Sequence, residues 1–523
     1  MLIKHRGDCI GSTQEMRSTP PGVLAILALL SVPLLYLAIL IWNAEILAGA
    51  FQIGTDEHYE VTKAFLWSRG IGLYTQVWND QPPLFTIALG IFFKIFGPTI
   101  GVARFVASFF GLSLSVACAL FVSRKAGVLA GAIATFCLLA SPEVLELSLS
   151  AMLEVPAVGT VLWAGVLLLC WQSKRWPFLL MFSGALVAIA LQIKLTAVIG
   201  VPALMAEIGF IAFGMDSPSH IKGAIKAFSI WVSSVLITYA LLTLMCGNVP
   251  WSVIIASHFS SAVVAHENNS VSLPFVSILC TKHVEALFGS AVGFLVLILR
   301  SDWRRMAFPL VWLATASVVH LYHRPWWPYY YLHFALPLAW LTGYGIATVV
   351  KSTLVKSIET PTPRLIANLA GLVVSCSMFG FVISVGERRL NADLASVRDL
   401  PRVTGNVLMA KMRGYADDHQ WIYSQSSMHA FHARLPMIPE LAVLPRKRFW
   451  SKQISDKEVL DIVKRYHPHE LLTAGEISLD WTDWLATSYA RVFVYGEYQL
   501  FVESHGATIF KKAVDETRSV DRK

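Results

Sequence analysis

Acidic and basic side chains of a very apolar chain recur at the edges of its hydrophobic segments. Asp56 and Glu57 form an acidic pair in a loop directly after the first hydrophobic segment. Glu154 stands at the start of a later hydrophobic segment, and Lys194 interrupts the run ALQIKLTAV between two more. Ionisable groups at membrane depth are costly and typically line a polar cavity. Carboxylates and a cation on one face of a membrane predict a catalytic acid or base opposite an anion-binding group.

The chain that carries these groups has the composition of a membrane protein. It has 523 residues, of which 55% are hydrophobic and 15% charged, and its mean hydropathy is +0.58. Apolar runs of about 17–25 residues recur through its first three quarters, and each can cross a hydrocarbon core about 30 Å thick. Because a backbone in lipid must satisfy its own hydrogen bonds, these runs predict an all-α polytopic membrane protein.

Charge and cysteine content argue against other classes of protein. The net charge of +8 is the imbalance expected from the positive-inside rule and from anionic lipids. No basic stripe with interleaved aromatic residues is present, so a nucleic-acid partner is not expected. The seven cysteines show neither a disulfide framework nor a metal-type spacing.

Eleven spans are predicted, with the N-terminus in the cytoplasm because Lys4, Arg6 and Arg17 precede the first span. The spans are 23–42, 101–123, 126–141, 155–172, 177–193, 195–214, 227–246, 285–300, 306–323, 328–350 and 366–386. The segment Pro83–Gly97 would be a helix only about 22 Å long. Since this is too short to cross a membrane, we expect it to lie in the outer interface.

On this topology, one side of the membrane collects the unusual polar residues. The outer segments are Asn43–Gln81, Pro142–Glu154, Gln192–Thr196, Gly247–Glu285 and Tyr322–Pro328. In the first of them, the residues after Asp56 predict an amphipathic interfacial helix with Tyr59, Phe65 and Leu66 toward lipid. Glu60 is expected to be a solvated loop acid. The shared side of these segments, more than any one residue, predicts an outer catalytic face.

Three regions follow from the sequence: a cytoplasmic tail over 1–21, a transmembrane domain over 22–386 with its first outer loop at 43–82, and an external domain over 387–523. From Glu387 onward the chain carries 20 basic and 18 acidic residues, half of all its charged residues. The stretches QWIYSQ and ARVFVYGEYQLFVES predict strands, and SDKEVLDIVKRYH predicts a helix with a Ser-Asp cap. The last region therefore predicts a small α/β domain.

The stretches GTDEHYEVTKAFLWSRG and YTQVWNDQPPLFTIALGIFFKIFG resemble the first external loop of GT-C membrane glycosyltransferases. The similarity is to glycosyltransferase families 39 and 83, which include protein O-mannosyltransferases, the lipid A aminoarabinose transferase and rhizobial-type lipopolysaccharide glycosyltransferases. The order continues with Glu154-Val155-Pro156, Lys194 and the turn His323–Tyr331, over roughly residues 20–350. Two positions depart from the pattern: Glu154 stands where Asp is common, and His323-Arg324 where a Lys-rich turn can occur.

The resemblance implies a GT-C fold and the inverting transfer of one sugar from a polyprenyl-phosphate donor to a hydroxyl of a cell-envelope acceptor, a glycan, lipopolysaccharide or protein. Asp56 would be the general base, with Glu57 and Glu154 as further catalytic-site acids that position the acceptor or the sugar. The cations expected to bind the donor phosphate are Lys194 and Arg324, with His320 and His323 as helpers. The residues expected to contact sugar, lipid or acceptor are His58, Tyr59, Trp78, Asp80, Trp326, Trp327 and Tyr330.

No cofactor is required on this interpretation, because cationic side chains can do the electrostatic work of a metal. A divalent ion held by Asp56 and Glu57 stays open as an alternative. The expected location is the bacterial inner membrane, with the C-terminal domain outside.

Three other functions stay open. A transporter or flippase of a lipid-linked sugar would also need polar groups within the membrane, although no internal repeat is evident. A membrane scaffold and an enzyme that moves a whole glycan are further alternatives. The aromatic residues of the turn at Trp326–Tyr331 could also serve only as an interfacial belt.

Overall fold

The computed structural model describes residues 23–141, 143–213, 220–247, 249–250, 252, 254, 257, 274–322, 326–359, 363–416, 420–475 and 478–504. The helices of the first half are α1 Val23–Trp42, α2 Ala44–Gly49, α3 Glu57–Ser68, α4 Leu84–Phe96, α5 Ile100–Ala126, α6 Val128–Leu139, α7 Val144–Leu149, α8 Glu154–Lys174, α9 Pro177–Ile193, α10 Val201–Phe213 and α11 His220–Cys246. Those of the second half are α12 Pro274–Lys282, α13 Val284–Leu299, α14 Trp303–Tyr322, α15 Leu332–Glu359, α16 Pro363–Asp399, α17 Val407–Tyr415, α18 Ser427–Ala433, α19 Arg446–Trp450, α20 Asp456–Tyr466 and α21 Leu479–Ser488. Short 3₁₀ turns lie at Leu195–Gly200, Pro328–Tyr331 and Pro439–Leu441.

A helix lies at each of the eleven predicted spans, and the predicted all-α membrane fold is confirmed. Five helical segments of the described chain are long and apolar enough to cross a membrane: Ile100–Ala126, Glu154–Lys174, Leu195–Phe213, Ile221–Cys246 and Pro328–Ser352. Several shorter apolar helices accompany them. The chain is an integral membrane protein, while the exact number of spans stays a prediction.

Small residues bring two of these helices together. A Cβ at Gly293 in α13 would lie 1.9 Å from the carbonyl oxygen of Leu341 in α15, and one at Gly345 would lie 2.4 Å from the Cα of Gly293. Neither position has space for a side chain. Close backbone approach at small residues is the usual way for helices to pack where water supplies no driving force.

The predicted short segment forms helix α4, which begins after Pro83. Phe85, Leu89 and Phe93 are buried on one face, whereas Ile95 and Phe96 are exposed. A helix of 13 residues rises only about 20 Å. Its location in the outer interface stays a prediction.

One prediction for the first loop is wrong. Phe65 and Leu66 of α3 do not face lipid: they are buried, 2% and 0% exposed. The Phe65 ring lies 6.0 Å from that of Phe431 in α18, and Leu66 belongs to a cluster that includes Leu408 of α17. The C-terminal domain covers α3, and the periodicity of one helix cannot reveal which neighbour covers its apolar face.

The C-terminal domain contains the predicted small sheet. Its strands are β1 Ile422–Ser424, β2 Glu470–Ala474, β3 Tyr489–Tyr495 and β4 Tyr498–Glu503, in the order β1-β2-β4-β3. The first two are parallel and the other pairs antiparallel. Helix α20 begins at a capping box of Ser455 and Glu458, which satisfies two backbone donors at its first turn.

Helix α16 runs from Pro363 to Asp399, so the predicted boundary at Glu387 lies inside a continuous helix. The chain that follows α16 contacts the first loop. The Phe51 N–H donates to the Pro401 carbonyl at 2.7 Å, and the His432 ring donates to the Phe51 carbonyl at 2.7 Å. The first loop is therefore held between the helices and the C-terminal domain.

Candidate active site

A polar cavity of about 200 Å³ lies between the first loop and the C-terminal domain. Five parts of the chain meet there: the loop with α3, the start of α8, the end of α9, the turn before α15, and the segment that leads into α19. The cavity is lined by Asp56, His58, Tyr59, Glu60, Lys63, Asp80, Gln81, Met152, Leu153, Glu154, Lys194, Trp327, Tyr329, Val443, Pro445, Arg446 and Lys447.

The structure brings half of the predicted site residues into this cavity and places the others elsewhere. The predicted residues that line it are Asp56, His58, Tyr59, Asp80, Glu154, Lys194 and Trp327. Those within the described chain that do not line it are Glu57, Trp78, His320, Trp326 and Tyr330. His323 and Arg324 lie outside the described residues.

Asp56 occupies the turn immediately before α3. Its side chain is half-buried and does not cap the helix, although its position as N-cap would allow it. Tyr329 lines the same cavity beside it. Among the residues that the structure describes, Asp56 has no ion-pair partner. Asp56 lines the cavity without such a partner.

Glu154 and Lys194 form a buried ion pair at the membrane side of the cavity. They are 1% and 5% exposed. Lys194 ends α9 with an extended backbone (φ −153°, ψ 133°), just before the 3₁₀ turn Leu195–Gly200. This break in the helix directs its side chain to Glu154. The ammonium nitrogen also lies 4.8 Å from the Tyr329 ring centroid and 5.3 Å from that of Tyr330, in reach of cation–π attraction.

A second buried pair lies on α3, where a solvated acid was expected. Glu60 is 5% exposed and accepts hydrogen bonds from Lys63 at 2.5 Å and from the Thr86 hydroxyl at 3.0 Å. Lys63 also donates to the Asn79 side chain at 3.0 Å. The prediction for Glu60 is wrong, because tertiary packing brings α4 and the end of the loop over this face of α3.

Glu57 faces away from the cavity and is fully buried. Arg104 of α5 donates to its two oxygens at 2.9 and 2.8 Å, and the Ile53 N–H adds a bond of 2.8 Å. The Ala151 N–H lies 3.4 Å from Oε1. These contacts tie both segments that flank the cavity to α5. Both Glu57 oxygens are thus engaged within the protein, next to Asp56, and the predicted role of Glu57 toward a substrate stays a prediction.

The C-terminal domain supplies residues that the sequence alone did not identify. Lys447 forms an ion pair with Asp80, and Arg446 lines the cavity beside it. Trp78 lies behind them: its indole N–H donates to Gln453 at 2.8 Å. The run LPRKRFW, basic and aromatic after a proline, was the available signal. Tyr329, which belongs to the aromatic turn at Trp326–Tyr331 but was not singled out, lines the cavity too.

Aromatic and imidazole rings pack next to the residues that line the cavity. The His320 ring stacks on Tyr330 with 4.8 Å between centroids, and Trp326 is buried nearby. In the loop, the His58 ring lies 3.8 Å from that of Tyr59. Burial lowers the pKa of His58, against a raising effect of Asp56, so its imidazole is neutral at pH 7.

A divalent ion held by Asp56 and Glu57, the alternative from the sequence, finds little support in the described residues. They contain no group of three or more His, Cys, Asp or Glu side chains placed to hold a metal. In the pair considered from the sequence, both Glu57 oxygens are engaged by Arg104. Asp56 would be left as a single carboxylate ligand.

Comparison with known proteins defines the fold. No protein-family model and no curated protein matches the chain. The apo structure of ArnT from Cupriavidus metallidurans matches with a TM-score of 0.62 over 90% of this chain and 97% of that one, at 13% identity. The same protein bound to undecaprenyl phosphate gives 0.61 over 90% and 98%, also at 13%.

A more distant match is the oligosaccharyltransferase AglB from Archaeoglobus fulgidus, in complex with an inhibitory peptide and a dolichol-phosphate. Its TM-score is 0.53 over 86% of this chain and 69% of that one, at 11% identity. ArnT, a lipid A aminoarabinose transferase, and AglB are GT-C proteins. The chain thus has the GT-C fold of membrane glycosyltransferases, as its sequence predicted.

Proposed function

We propose that the protein is an inverting glycosyltransferase that moves one sugar from a polyprenyl-phosphate to a hydroxyl of a cell-envelope acceptor. The observation that carries the proposal is the placement of Asp56, without an ion-pair partner among the described residues, in one cavity with buried Lys194. Structures of the same fold contain undecaprenyl phosphate and dolichol-phosphate. These ligands support a lipid-linked phosphate as the donor.

Asp56 acts as the general base. It accepts the proton of the acceptor hydroxyl while the hydroxyl oxygen forms its bond to the anomeric carbon. The bond between that carbon and the phosphate oxygen breaks, and the polyprenyl monophosphate leaves with the electron pair. Attack opposite the leaving group inverts the anomeric centre. A positioned base contributes about 10²–10⁴ in rate.

Lys194 stabilises the leaving phosphate. Negative charge grows on this group as the sugar departs, so a fixed cation binds the transition state more strongly than the ground state. The ammonium has three donors, and Glu154 occupies one of them. Glu154 therefore orients Lys194 and leaves donors for phosphate. No metal enters this scheme, because the cation is a side chain.

The charge pattern supports an outer location of the cavity. The basic residues before α1 favour a cytoplasmic N-terminus, and with that orientation the proposed site lies on the outer face of a bacterial inner membrane. A lipid-linked donor would reach Lys194 from the bilayer, and an acceptor would enter beneath the C-terminal domain.

The test uses the full-length protein in nanodiscs with a radiolabelled polyprenyl-phosphate sugar and an envelope glycolipid extract. Asp56→Asn is expected to lower turnover by about 10²–10⁴ while undecaprenyl phosphate still binds. Glu45→Gln, an exposed carboxylate of the same loop, is the matched control. Near-normal turnover of Asp56→Asn would refute the assignment of the base. Movement of labelled lipid across the bilayer with no transferred sugar would instead indicate the flippase.

A further inference from the structure

Most of the charged side chains that line the cavity form ion pairs with one another. Four carboxylates and four cations line it: Asp56, Glu60, Asp80 and Glu154, and Lys63, Lys194, Arg446 and Lys447. The ion pairs are Glu60 with Lys63, Asp80 with Lys447, and Glu154 with Lys194. Within the described part of the chain, Asp56 and Arg446 are the two without such a partner. Asp56 has a role as the base, whereas Arg446 has none so far.

The two residues after Arg446 are fixed to the first loop and to their own domain. Lys447 pairs with Asp80 of the loop. The buried Arg448 guanidinium donates to the Glu440 and Val443 carbonyls at 2.8 and 3.0 Å. Arg446 itself is exposed on the cavity side of this anchored segment. Its backbone is therefore held in place while its guanidinium stays open to a ligand.

A second anchor lies one turn beyond. The Gln453 side chain accepts from Trp78 at 2.8 Å and donates to Ser257 at 2.9 Å, so it joins the first loop to the segment after α11. The Arg448 guanidinium lies 5.4 Å from the Trp78 ring centroid. The segment that carries Arg446 thus remains against the cavity through contacts on both sides.

Lys194 and Arg446, two cations that line the cavity, belong to different parts of the molecule. Lys194 is buried at the end of a helix of the membrane domain, and the proposed transfer uses it for the lipid phosphate. Arg446 belongs to the C-terminal domain and is exposed. With the lipid phosphate at Lys194, Arg446 remains for a second anion.

We propose that Arg446 is a specificity-determining residue that binds an anionic group, a phosphate or a carboxylate, of the acceptor. A guanidinium suits either group because its parallel N–H donors match two oxygens. The contact places the acceptor hydroxyl near Asp56 and selects anionic envelope molecules over neutral ones. This inference rests on the proposed glycosyl transfer and names the class of acceptor.

The first experiment measures binding without turnover. Full-length protein in nanodiscs, saturated with undecaprenyl phosphate, is titrated with methyl phosphate and with acetate, and its thermal shift is recorded. Arg446→Ala is expected to weaken binding of at least one of these anions about tenfold, and Arg446→Lys to weaken it less. Lys457→Ala is the control: it removes an exposed cation of the same domain that does not line the cavity. It is expected to leave the affinity for both anions unchanged.

The second experiment measures transfer to an envelope glycolipid extract. One portion is untreated, one is treated with phosphatase, and one has its carboxylates amidated. Arg446→Ala is expected to raise the KM for untreated extract about tenfold, with the KM for donor unchanged. One of the two treatments is expected to raise the KM of the native protein for the extract as much as Arg446→Ala does. The same treatment should leave the KM of Arg446→Ala unchanged, and it identifies the anion.

The outcomes separate the two proposals. If Arg446→Ala raises the KM for donor instead, or if both treated extracts serve the native protein as well as the untreated one, the acceptor assignment is wrong. If the native protein transfers no sugar, the proposed function fails. The titration with methyl phosphate and acetate then still decides whether Arg446 binds an anion, and an unchanged affinity in Arg446→Ala would overturn that as well.

Discussion

Glu57 and Arg104 form a buried ion pair with two hydrogen bonds, of 2.9 and 2.8 Å, directly behind the candidate base Asp56. Arg104 also donates to the Leu47 and Ala50 carbonyls at 2.5 and 2.7 Å. The Arg104 guanidinium thus joins the end of α2 to the start of α3. Because Glu57 is the next residue after Asp56, any shift of this pair would move the base.

Replacement of Glu57 by Gln is expected to destabilise the protein by about 3–5 kcal/mol, since it leaves Arg104 buried without its counter-charge. Turnover should fall in the surviving protein, because Asp56 is displaced, whereas undecaprenyl phosphate should still bind. Thermal unfolding in detergent and the transfer assay check both parts. Glu45→Gln serves again as the control. A variant with native stability and lost turnover would point to direct contact between Glu57 and substrate.

Variants of the ion pair between Glu154 and Lys194 can separate its effect on stability from its effect on turnover. Glu154→Gln and Lys194→Met each leave one buried charge and should each lose about 3–5 kcal/mol of stability. The double variant should recover most of that loss, because no charge remains unpaired. It should not recover turnover, since no cation faces the leaving phosphate. Unfolding and transfer assays on all four proteins form a double-mutant cycle. An active double variant would remove Lys194 from the mechanism.

Transfer is expected to continue in the presence of EDTA. Both oxygens of Glu57 are engaged by Arg104, and the described residues offer no group of three or more potential ligands. The measurement is turnover after dialysis against the chelator and after readdition of Mg²⁺ or Mn²⁺. Activity that is lost on chelation and restored by one of the metals would require a metal in the mechanism.

The positions of the helices were predictable because an apolar run in lipid has few alternatives to a helix. The gathering of Asp56, Glu154 and Lys194 in one cavity was predictable too, since Glu154 and Lys194 lie at ends of hydrophobic segments and Asp56 in the loop after the first such segment. These are local properties of the sequence, combined with the single constraint of the membrane.

The contacts made by the C-terminal domain were not predictable in this way. Arg446 reaches the cavity because its domain docks on the first loop. The hydrophobic periodicity of the sequence does not predict such contacts between distant segments. Burial of Phe65 and the Glu60–Lys63 pair depends on the same tertiary contacts. A charged residue in a loop is more often solvated than buried. The sequence therefore predicted a solvated Glu60.

Two histidines of α18 hold the first loop under the C-terminal domain. The Phe51 ring lies 4.5 Å from the His429 ring and 5.0 Å from the His432 ring, measured between centroids, and His432 donates to the Phe51 carbonyl at 2.7 Å. Burial lowers the pKa of both imidazoles to about 4. They are therefore neutral in the folded protein at pH 7.

Acid is expected to weaken this docking. The pKa of each histidine is lower in the folded state than its ordinary value of 6.5, so the unfolded chain binds more protons between these values. Stability is full above pH 6.5 and declines as the pH falls toward 4, by about 1–2 kcal/mol per histidine at pH 5. Hydrogen exchange of α18 and thermal unfolding at pH 7.5 and 5 measure the effect.

The double variant His429→Gln with His432→Gln should remove most of this pH dependence, because an amide can keep the bond to Phe51 without titrating. The control His467→Gln, at an exposed histidine, should keep the pH dependence. Equal acid sensitivity in the double variant would place the titrating groups elsewhere.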